Sequence, residues 1–315
     1  MIQASVSNIQ ALARDIVLVE LQHALGQALP GATPGSHIDL HLPNGLVRQY
    51  SLTNAQGEIS QSCYQVAIGR DAQSRGGSAW IHDKMRVDTT LAISEPRNLF
   101  ELDTNQRHKV LLIGAGIGIT PIYAMAKAAA SAGMDWCLVA CARSASRLAF
   151  AEEIQALDKE RVHVHVDLEQ GRPLDLKAWL TSEKWGAVYA CGPAGLLDAI
   201  EEKTQHWPAG SVHMERFKAV EQDNSSNQAF DLVLSKSGQS LQVNATETAL
   251  EALERCGIEH PYACREGLCG TCEVTLIEGQ PDHRDSVLGA QDRAEGRRFI
   301  PCVSRCAGSR LVIDL

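Results

Sequence analysis

The chain has 315 residues, of which 44% are hydrophobic and 21% are charged, and its formal net charge is −9. This length is enough for two or three domains, and the acidic balance argues against nucleic-acid binding, which requires basic surfaces. No apolar run approaches the roughly 20 residues that cross a bilayer, and the first residues alternate polar and apolar side chains instead of forming a signal peptide. We therefore expect a folded cytoplasmic protein without membrane contact. In such a chain, the ten cysteines indicate metal-binding, catalytic or buried thiols rather than disulfides.

The first hundred residues contain short, often alternating apolar runs separated by Gly, Pro, Asn and Asp turns. These runs are residues 16–22, 37–43, 47–54, 64–71 and 91–96. Their spacing predicts a small β-barrel.

The pattern changes at residues 109–133, where a fully apolar strand leads through a glycine turn into an alanine-rich helix. Further strands are predicted at 136–143, 162–168 and 187–193, with helices at 151–160 and 195–207. Strands that alternate with helices predict a doubly wound parallel sheet.

The segment KAVEQDNSSNQA, residues 218–229, is polar and has few large apolar side chains, which is typical of a linker. We place the linker at 223–229, which gives domains at 1–102, 103–222 and 230–315. Beyond it, residues 230–243 predict a hairpin that turns around Ser237 and Gly238, and residues 247–257 predict a short helix with Gly257 as its C-cap.

The segment ACREGLCGTCEV contains three cysteines within nine residues, with spacing C-x4-C-x2-C, and a fourth cysteine follows the third after 29 intervening residues. They are Cys264, Cys269, Cys272 and Cys302. This is the plant-type ferredoxin spacing for a [2Fe–2S] cluster, which needs four thiolates. The intervening glycines allow backbone amides to point at the sulfurs.

Two other interpretations of the cysteines stay open at this point. A structural zinc site usually has two C-x2-C pairs or added histidines, and three thiols can also lie close together in a core without binding metal. Cys306 is a rival fourth ligand, although Cys302 fits the spacing better.

The motifs CREGLCGTC and PCVSRC resemble those of the ferredoxin domain of the phthalate dioxygenase reductase family. The resemblance extends over essentially the whole chain, in the order flavin, nucleotide, ferredoxin. It implies a flavin-binding barrel, a nicotinamide domain and a C-terminal β-grasp ferredoxin domain, and it implies that FMN, NADH and a [2Fe–2S] cluster are the cofactors.

RQYSLTN, residues 48–54, resembles the flavin signature R-x-Y-S of that family. By this resemblance, Arg48 pairs with the flavin phosphate, Tyr50 lies along the ring, Ser51 bonds the reactive nitrogen N5, and Leu52 completes the site. A half-exposed strand with alternating polar residues would look much the same.

RGGSAWIHD, residues 75–83, predicts a short helix that begins after Gly76, Gly77 and Ser78 and presents free N–H groups to the phosphate. The alternative is a plain glycine turn with Ser78 as N-cap. We see no segment devoted to the adenosine half of FAD, and the resemblance implies FMN.

GAGIGITP, residues 114–121, follows a buried strand and opens a helix, which is the context of a phosphate-binding turn. It departs from G-x-G-x-x-G because Ile119 occupies the third glycine position. Both this departure and the missing acidic residue after the second strand resemble the ferredoxin-reductase superfamily. The residues that match its nucleotide site are Gly114, Gly116, Gly118, Thr120, Pro121, Cys191, Gly192 and Pro193.

Three further residues have two interpretations each. Arg143 would meet the 2′-phosphate of NADPH or hold another anion, and the resemblance favours NADH. Cys191 would lie at the nicotinamide ring or be an ordinary strand-end thiol. In HMERF, residues 213–217, Phe217 would shield the flavin with Glu215 nearby, or it would simply be packed at the end of a strand.

A nicotinamide gives two electrons together and a [2Fe–2S] cluster accepts one, so the resemblance implies a path from NADH through FMN to the cluster and on to a terminal Rieske-type oxygenase. The eleven histidines show no triad or zinc-ligand spacing. We expect a monomer whose partner decides the substrate. The alternatives are another acceptor (a separate ferredoxin, a haem protein or a non-Rieske oxygenase) and a redox sensor that does not turn over.

Overall fold

The computed structural model describes residues 1–315 except 73, 106, 107, 183, 220, 221 and 223, and it leaves the side chains of 182, 290 and 291 undescribed. The chain divides into two compact units, Met1–Glu215 and Arg216–Leu315. The first unit contains both the predicted barrel and the predicted nucleotide sheet.

An antiparallel sheet in the order β4-β3-β6-β1-β2-β5 forms the first part of this unit. Its strands are β1 (Ile2–Ala13), β2 (Ile16–His23), β3 (His37–His41), β4 (Val47–Ser51), β5 (Tyr64–Gly69) and β6 (Thr90–Ile93), and helix α1 spans Gly77–Lys84. The two edge strands meet where Leu52 bridges Val66, which closes the sheet and confirms the barrel. Strand β1 was not among the predicted runs, because apart from buried Ala4 and Val6 it is mostly half-exposed.

A five-stranded sheet in the order β11-β10-β7-β8-β9 forms the second part, and all its strands are parallel. The elements are β7 (Val110–Ala115), α2 (Ile119–Ser131), β8 (Trp136–Ala142), α3 (Ala151–Leu157), β9 (Val162–Val166), α4 (Asp167–Gln170), α5 (Leu176–Ser182), β10 (Ala187–Cys191), α6 (Ala194–Thr204) and β11 (Val212–Glu215). One core packs α2 on the sheet through Ile122, and the other packs α6 through Leu197. Helices therefore cover both faces, as predicted for a doubly wound sheet.

The second unit is a mixed sheet in the order β13-β12-β16-β14-β15, with one helix packed against it. Its elements are β12 (Phe230–Leu234), β13 (Ser240–Val243), α7 (Ala249–Arg255), β14 (Val274–Asp282), α8 (Ala290–Glu295), β15 (Arg298–Phe299) and β16 (Arg305–Ile313). The parallel pairing of β12 with β16 beside the β12–β13 hairpin is the β-grasp arrangement that the resemblance implied.

The hairpin turn of this unit is confirmed, and the predicted C-cap of the helix is shifted by one residue, from Gly257 to Cys256. Gly238 has a φ of 70° in the hairpin turn, and Gly257 has a φ of 73° one residue after the C-cap of α7, Cys256. The Ile258 N–H donates to the Leu253 carbonyl at 3.0 Å and closes the helix end.

Some of the described residues in the polar segment 218–229 bond to residues further along the second unit. The Arg284 guanidinium donates to Asn227 Oδ1 at 2.9 Å, and Arg305 donates to the Gln228 carbonyl at 2.9 Å. Val220, Glu221 and Asp223, which belong to this segment, lie outside the described residues. The exact limits of linker and domains stay a prediction.

Among the helices that the structure describes, none combines the length and the apolar character that a membrane span requires.

Candidate functional site

Four cysteine side chains converge in the second unit. Cys264, Cys269 and Cys272 lie in the loop between α7 and β14, and Cys302 lies between β15 and β16. The Cys264 sulfur contacts those of Cys269 and Cys302, and the Cys272 sulfur also contacts that of Cys302. Cys264 is partly exposed, whereas the other three are buried.

The backbone of the loop turns its amides toward the sulfur. The N–H groups of Glu266 and Leu268 donate to Cys264 Sγ at 3.3 and 3.4 Å. Gly267 has a φ of 68°, and a Cβ there would lie 2.6 Å from Val303 Cγ2. Glycine is therefore required at this position by both conformation and space.

These contacts divide the four sulfurs into donors and acceptors. The thiols of Cys269 and Cys302, together with the backbone N–H groups, lower the pKa of Cys264 to about 2, and the Cys302 thiol lowers the pKa of Cys272. The same contacts, together with burial, raise the pKa of Cys269 and of Cys302. Metal binding requires thiolates, and paired sulfurs suit a centre of two irons.

Strand β4 brings the predicted flavin-binding side chains together. Arg48, Tyr50 and Ser51 lie on β4, and Leu52 follows it, fully buried, at the barrel closure. Ser51 is 4% exposed, and its Oγ has no hydrogen-bond partner among the described residues. A buried hydroxyl without a partner is costly, so this atom fits the site of a bound polar group.

The N-terminus of α1 lies against Arg48. A Cβ on Gly77 would be 2.8 Å from Arg48 Nε, and Gly76 is the N-cap with a φ of 98°. Burial and then the charge of Arg75 lower the pKa of Arg48. Two guanidinium groups beside a helix N-terminus fit the phosphate of a flavin.

The alternative that made Ser78 the N-cap of this helix is wrong. Ser78 is the second residue of α1, and its hydroxyl donates to Ser74 Oγ at 3.1 Å. The hydroxyl of Ser74 instead accepts from the Gly76 and Ala79 N–H groups at 3.2 Å each, because it lies outside the helix where a capping side chain can reach them.

The glycine turn of the nucleotide sheet packs against the end of β10. Residues Gly116–Gly118 form a short 3-10 turn between β7 and α2. A Cβ on Gly118 would lie 2.4 Å from the Cys191 carbonyl oxygen, and one on Gly114 would lie 2.9 Å from Ile119 Cα. Only glycine permits this close approach of the two turns.

The remaining residues of this turn lie at the start of two helices. Thr120 donates through Oγ1 to the Ile117 carbonyl at 3.0 Å, and Pro121 is buried in the first turn of α2. Gly192 follows β10, and Pro193 is the N-cap of α6. The predicted nucleotide residues therefore meet at the carboxyl ends of β7 and β10, where open parallel sheets bind ligands.

Cys191 and Glu215 are paired at the ends of β10 and β11; Cys191 is fully buried, and Glu215 is half-buried with its Oε2 atom enclosed. Burial, reinforced by Glu215, raises the pKa of the Cys191 thiol. Burial also raises the pKa of Glu215 to about 8, and its Oε2 has no partner among the described residues. The sequence placed Glu215 at a strand end, but nothing in HMERF signalled that a carboxyl oxygen there would be enclosed without a partner.

Two predicted residues lie elsewhere. Arg143 is exposed in the loop after β8. Phe217 belongs to the second unit and is 37% exposed. The roles predicted for these two residues stay predictions.

Comparison with known proteins gives matches in both units. The family model of the 2Fe-2S iron-sulfur cluster binding domain matches residues 232–307, and that of the oxidoreductase NAD-binding domain matches residues 112–202. The toluene-4-sulfonate monooxygenase system reductase subunit TsaB1 of Comamonas testosteroni is 53% identical over 314 residues, which span 100% of this chain and 99% of the relative.

Several solved structures match the whole chain, among them a reductase and a cytochrome P450 monooxygenase. Phthalate dioxygenase reductase is 32% identical with a TM-score of 0.70, and the match covers 99% of this chain and 97% of that one. An intact type IV self-sufficient cytochrome P450 monooxygenase is 38% identical with a TM-score of 0.91, and the match covers 100% of this chain but 41% of that longer one. Because the sequence similarity extends over the full length, the chain belongs to the phthalate dioxygenase reductase family, whose members are NADH-dependent flavin and iron–sulfur reductases of oxygenase systems.

Proposed function

We propose that this reductase carries electrons from NADH through FMN and one [2Fe–2S] cluster to a separate Rieske-type terminal oxygenase. The observation that carries the proposal is the convergence of four thiols in a unit that follows, in the same chain, a flavin- and nucleotide-binding unit. When bound, the flavin accepts the two electrons of a hydride, and the cluster accepts one electron at a time.

The first unit's own residues bind and orient. Arg48 and the N-terminus of α1 hold a terminal phosphate, and Tyr50 packs along the ring. Ser51 offers its unpartnered hydroxyl to the flavin. The pairing of a guanidinium with a helix N-terminus supports FMN, because a phosphate that ends the ligand makes most use of both charges.

The nucleotide turn places an uncharged group beside the reacting ring. Gly118 lies against the carbonyl of Cys191, and burial keeps the Cys191 thiol protonated. A hydride transfer needs no general acid or base, so a neutral thiol that packs against the ring suits this position. In the second unit, Cys264, Cys269, Cys272 and Cys302 hold the two irons.

The acceptor decides which compound is oxidised. The similarity to a reductase subunit of the toluene-4-sulfonate monooxygenase system and to phthalate dioxygenase reductase supports a two-component oxygenase. We propose that the reductase is a cytoplasmic monomer and that the partner carries the Rieske centre. Size-exclusion chromatography coupled to light scattering should give one chain per particle, and a dimer would contradict the monomer.

A haem acceptor is the second candidate. The observation that favours it is the similarity of this chain to 41% of the chain of a self-sufficient cytochrome P450 monooxygenase. Steady-state NADH oxidation with purified Rieske oxygenase, ferredoxin and P450 as alternative acceptors should show the highest coupled rate with the Rieske component. A higher rate with the haem protein would replace this partner assignment.

Anaerobic titration of the purified protein tests the cofactor assignments. We expect one FMN, identified by chromatography after extraction, and two irons per chain. NADH should bleach the flavin and cluster bands within the dead time of manual mixing, and NADPH should do so more slowly. Absence of bleaching by NADH would contradict the reductase function, and extraction of FAD would contradict the FMN assignment alone.

A further inference from the structure

A turn of the barrel contacts a loop of the nucleotide sheet inside the first unit. Arg14 and Asp15 form the turn between β1 and β2, since Ala13 pairs with Ile16. The Arg14 N–H donates to the Ser146 carbonyl at 2.8 Å, and Arg147 Nη2 lies 2.5 Å from Asp15 Oδ2. The barrel therefore places a carboxylate on the loop that follows β8.

This loop has a particular position in the sheet. Strand β8 is the second strand of the nucleotide sheet in chain order, and in doubly wound dinucleotide folds the residues after the second strand contact the ribose 2′ position. An acidic side chain there favours NADH, whereas an arginine accommodates the 2′-phosphate of NADPH. The loop itself carries no acid and has two arginines, Arg143 and Arg147.

The two arginines differ in their surroundings. Arg147 is paired with Asp15, whereas Arg143 is exposed and has no ion-pair partner among the described residues. A guanidinium already paired with a carboxylate attracts a second anion less, because the two charges largely cancel at a distance.

We propose that Asp15, a residue of the flavin barrel, determines the preference for NADH over NADPH. Its carboxylate pairs with Arg147, and more loosely with Arg14 at 3.9 Å, so that the Arg147 guanidinium is already engaged by an anion. A phosphate at the ribose 2′ position must then compete with Asp15 for Arg147, whereas the 2′-hydroxyl of NADH needs no cation. The inference rests on the proposed nucleotide site.

The backbone keeps the carboxylate in place. Asp15 has a φ of 63°, a left-handed conformation that Asp and Asn adopt more readily than other side chains, and its carbonyl accepts from the Arg70 N–H at 2.7 Å. The ion pair is half exposed, at 50% for Arg147 and 40% for Asp15, so it contributes little to stability. Removing the charge should therefore change nucleotide choice without unfolding the turn.

The test is Asp15→Asn, which keeps the shape and the left-handed conformation and removes the charge. We expect kcat/KM with NADPH to rise about five- to tenfold through a lower KM, as expected for one surface charge pair made available to a phosphate. With NADH, kcat/KM should stay within about twofold of wild type. The increase in kcat/KM with NADPH should become smaller at high ionic strength.

Two further variants make the result specific. Arg147→Gln in the Asp15→Asn background should abolish the gain. Asp88→Asn is a matched control, because Asp88 is also a left-handed aspartate, with a φ of 68°. The Asp88 N–H donates to the Val6 carbonyl, which lies about seven residues, or roughly 23 Å, along β1 from Ala13. Asp88 is therefore far from the turn that holds Asp15. This variant should leave the NADPH to NADH ratio unchanged.

The outcomes separate this inference from the proposed function. An unchanged ratio in Asp15→Asn, or an equal gain in Asp88→Asn, would overturn the role of Asp15 while normal reduction by NADH kept the reductase function. Failure of NADH to reduce the wild-type flavin would instead contradict the nucleotide site itself.

Discussion

Two cysteines that the sequence assigns to electron transfer lie in opposite environments in the two units. Cys191 is enclosed by the ends of β10 and β11, and burial together with Glu215 raises the pKa of its thiol. Cys264 accepts two backbone N–H groups and contacts other sulfurs, and its pKa is lowered. Donors around the sulfur stabilise a thiolate, whereas an enclosed strand end stabilises the neutral thiol. The same residue type thus serves as a metal ligand in one unit and as an uncharged packing group in the other.

The largest effect should come from removing one sulfur from the four-cysteine cluster around Cys264. Cys302 is 3% exposed and contacts two of the other sulfurs, so Cys302→Ser should abolish the cluster signals in absorbance and electron paramagnetic resonance. Cytochrome c reduction should fall to background, while NADH-dependent ferricyanide reduction at the flavin persists. Cys269→Ser should behave in the same way.

Cys306→Ser is the matched control for the fourth ligand. Its Sγ donates to the Arg310 carbonyl at 3.5 Å within β16. The variant should retain the cluster and cytochrome c reduction. If it lost the cluster while Cys302→Ser kept it, the assignment of the fourth ligand would be reversed.

The enclosed strand end around Cys191 can be tested through Glu215, whose pKa is raised from 4.5 to about 8 by burial. Between these two values the folded state holds a proton that the unfolded state has released, so stability falls as pH rises and becomes level above about 8. Glu215→Gln removes this penalty. In urea unfolding of the holoprotein, the free energy of unfolding of the variant relative to wild type should rise by a few kcal/mol between pH 5 and 8. Above pH 8 the difference should stay constant.

The exposed Glu152 on α3 provides the control for loss of a negative charge. Glu152→Gln should shift the urea midpoint by a small amount that does not grow between pH 5 and 8. If the stability difference between Glu215→Gln and wild type were also independent of pH between 5 and 8, the carboxyl of Glu215 would be ionised in the folded protein. The surroundings of Cys191 would then not favour neutral groups, and the contrast with Cys264 would be lost.

A smaller effect is expected from the glycine that shapes the thiolate loop. Gly267→Ala forces a side chain into a φ of 68° and places its Cβ 2.6 Å from Val303 Cγ2. The temperature at which the cluster absorbance is lost should drop by more than in Gly238→Ala, which has a φ of 70° and open space around it. The left-handed conformation alone costs about 1–2 kcal/mol in both. Equal losses would show that close packing of the loop is unimportant.

The smallest effect should come from the unpartnered hydroxyl of Ser51. Ser51→Ala should slow stopped-flow flavin reduction by NADH about tenfold, the value of one good hydrogen bond, without lowering stability. Ser94→Ala should leave the rate of flavin reduction unchanged and lower stability, because the Ser94 hydroxyl already accepts from the Asp39 N–H and donates to the Glu95 carbonyl. Unchanged reduction in Ser51→Ala would exclude its hydroxyl from the flavin site.

Local patterns accounted for much of the fold. Alternation and turn residues predicted the barrel strands, and the apolar run before GAGIGITP predicted β7 and α2, because side-chain period and turn chemistry act within a few residues. Helix α5 and strand β1 were missed. Helix α5 is only seven residues long, although its Leu176 and Leu180 are buried, and β1 is mostly half-exposed apart from Ala4 and Val6. The polar composition at 218–229 indicated a linker but did not show that Asn227 and Gln228 bond to arginines far along the chain.

The sequence by itself determined which chemistry the protein carries, because the cysteine spacing and the glycine turns are local patterns that the ligands require. Only the tertiary structure decided the electrostatics of each site. It buried Glu215 beside Cys191, left Ser51 Oγ without a partner and brought Asp15 of the barrel to Arg147 of the nucleotide sheet. These contacts join residues as many as 132 positions apart. Burial and long-range pairing depend on how whole elements pack, which no short segment of sequence contains.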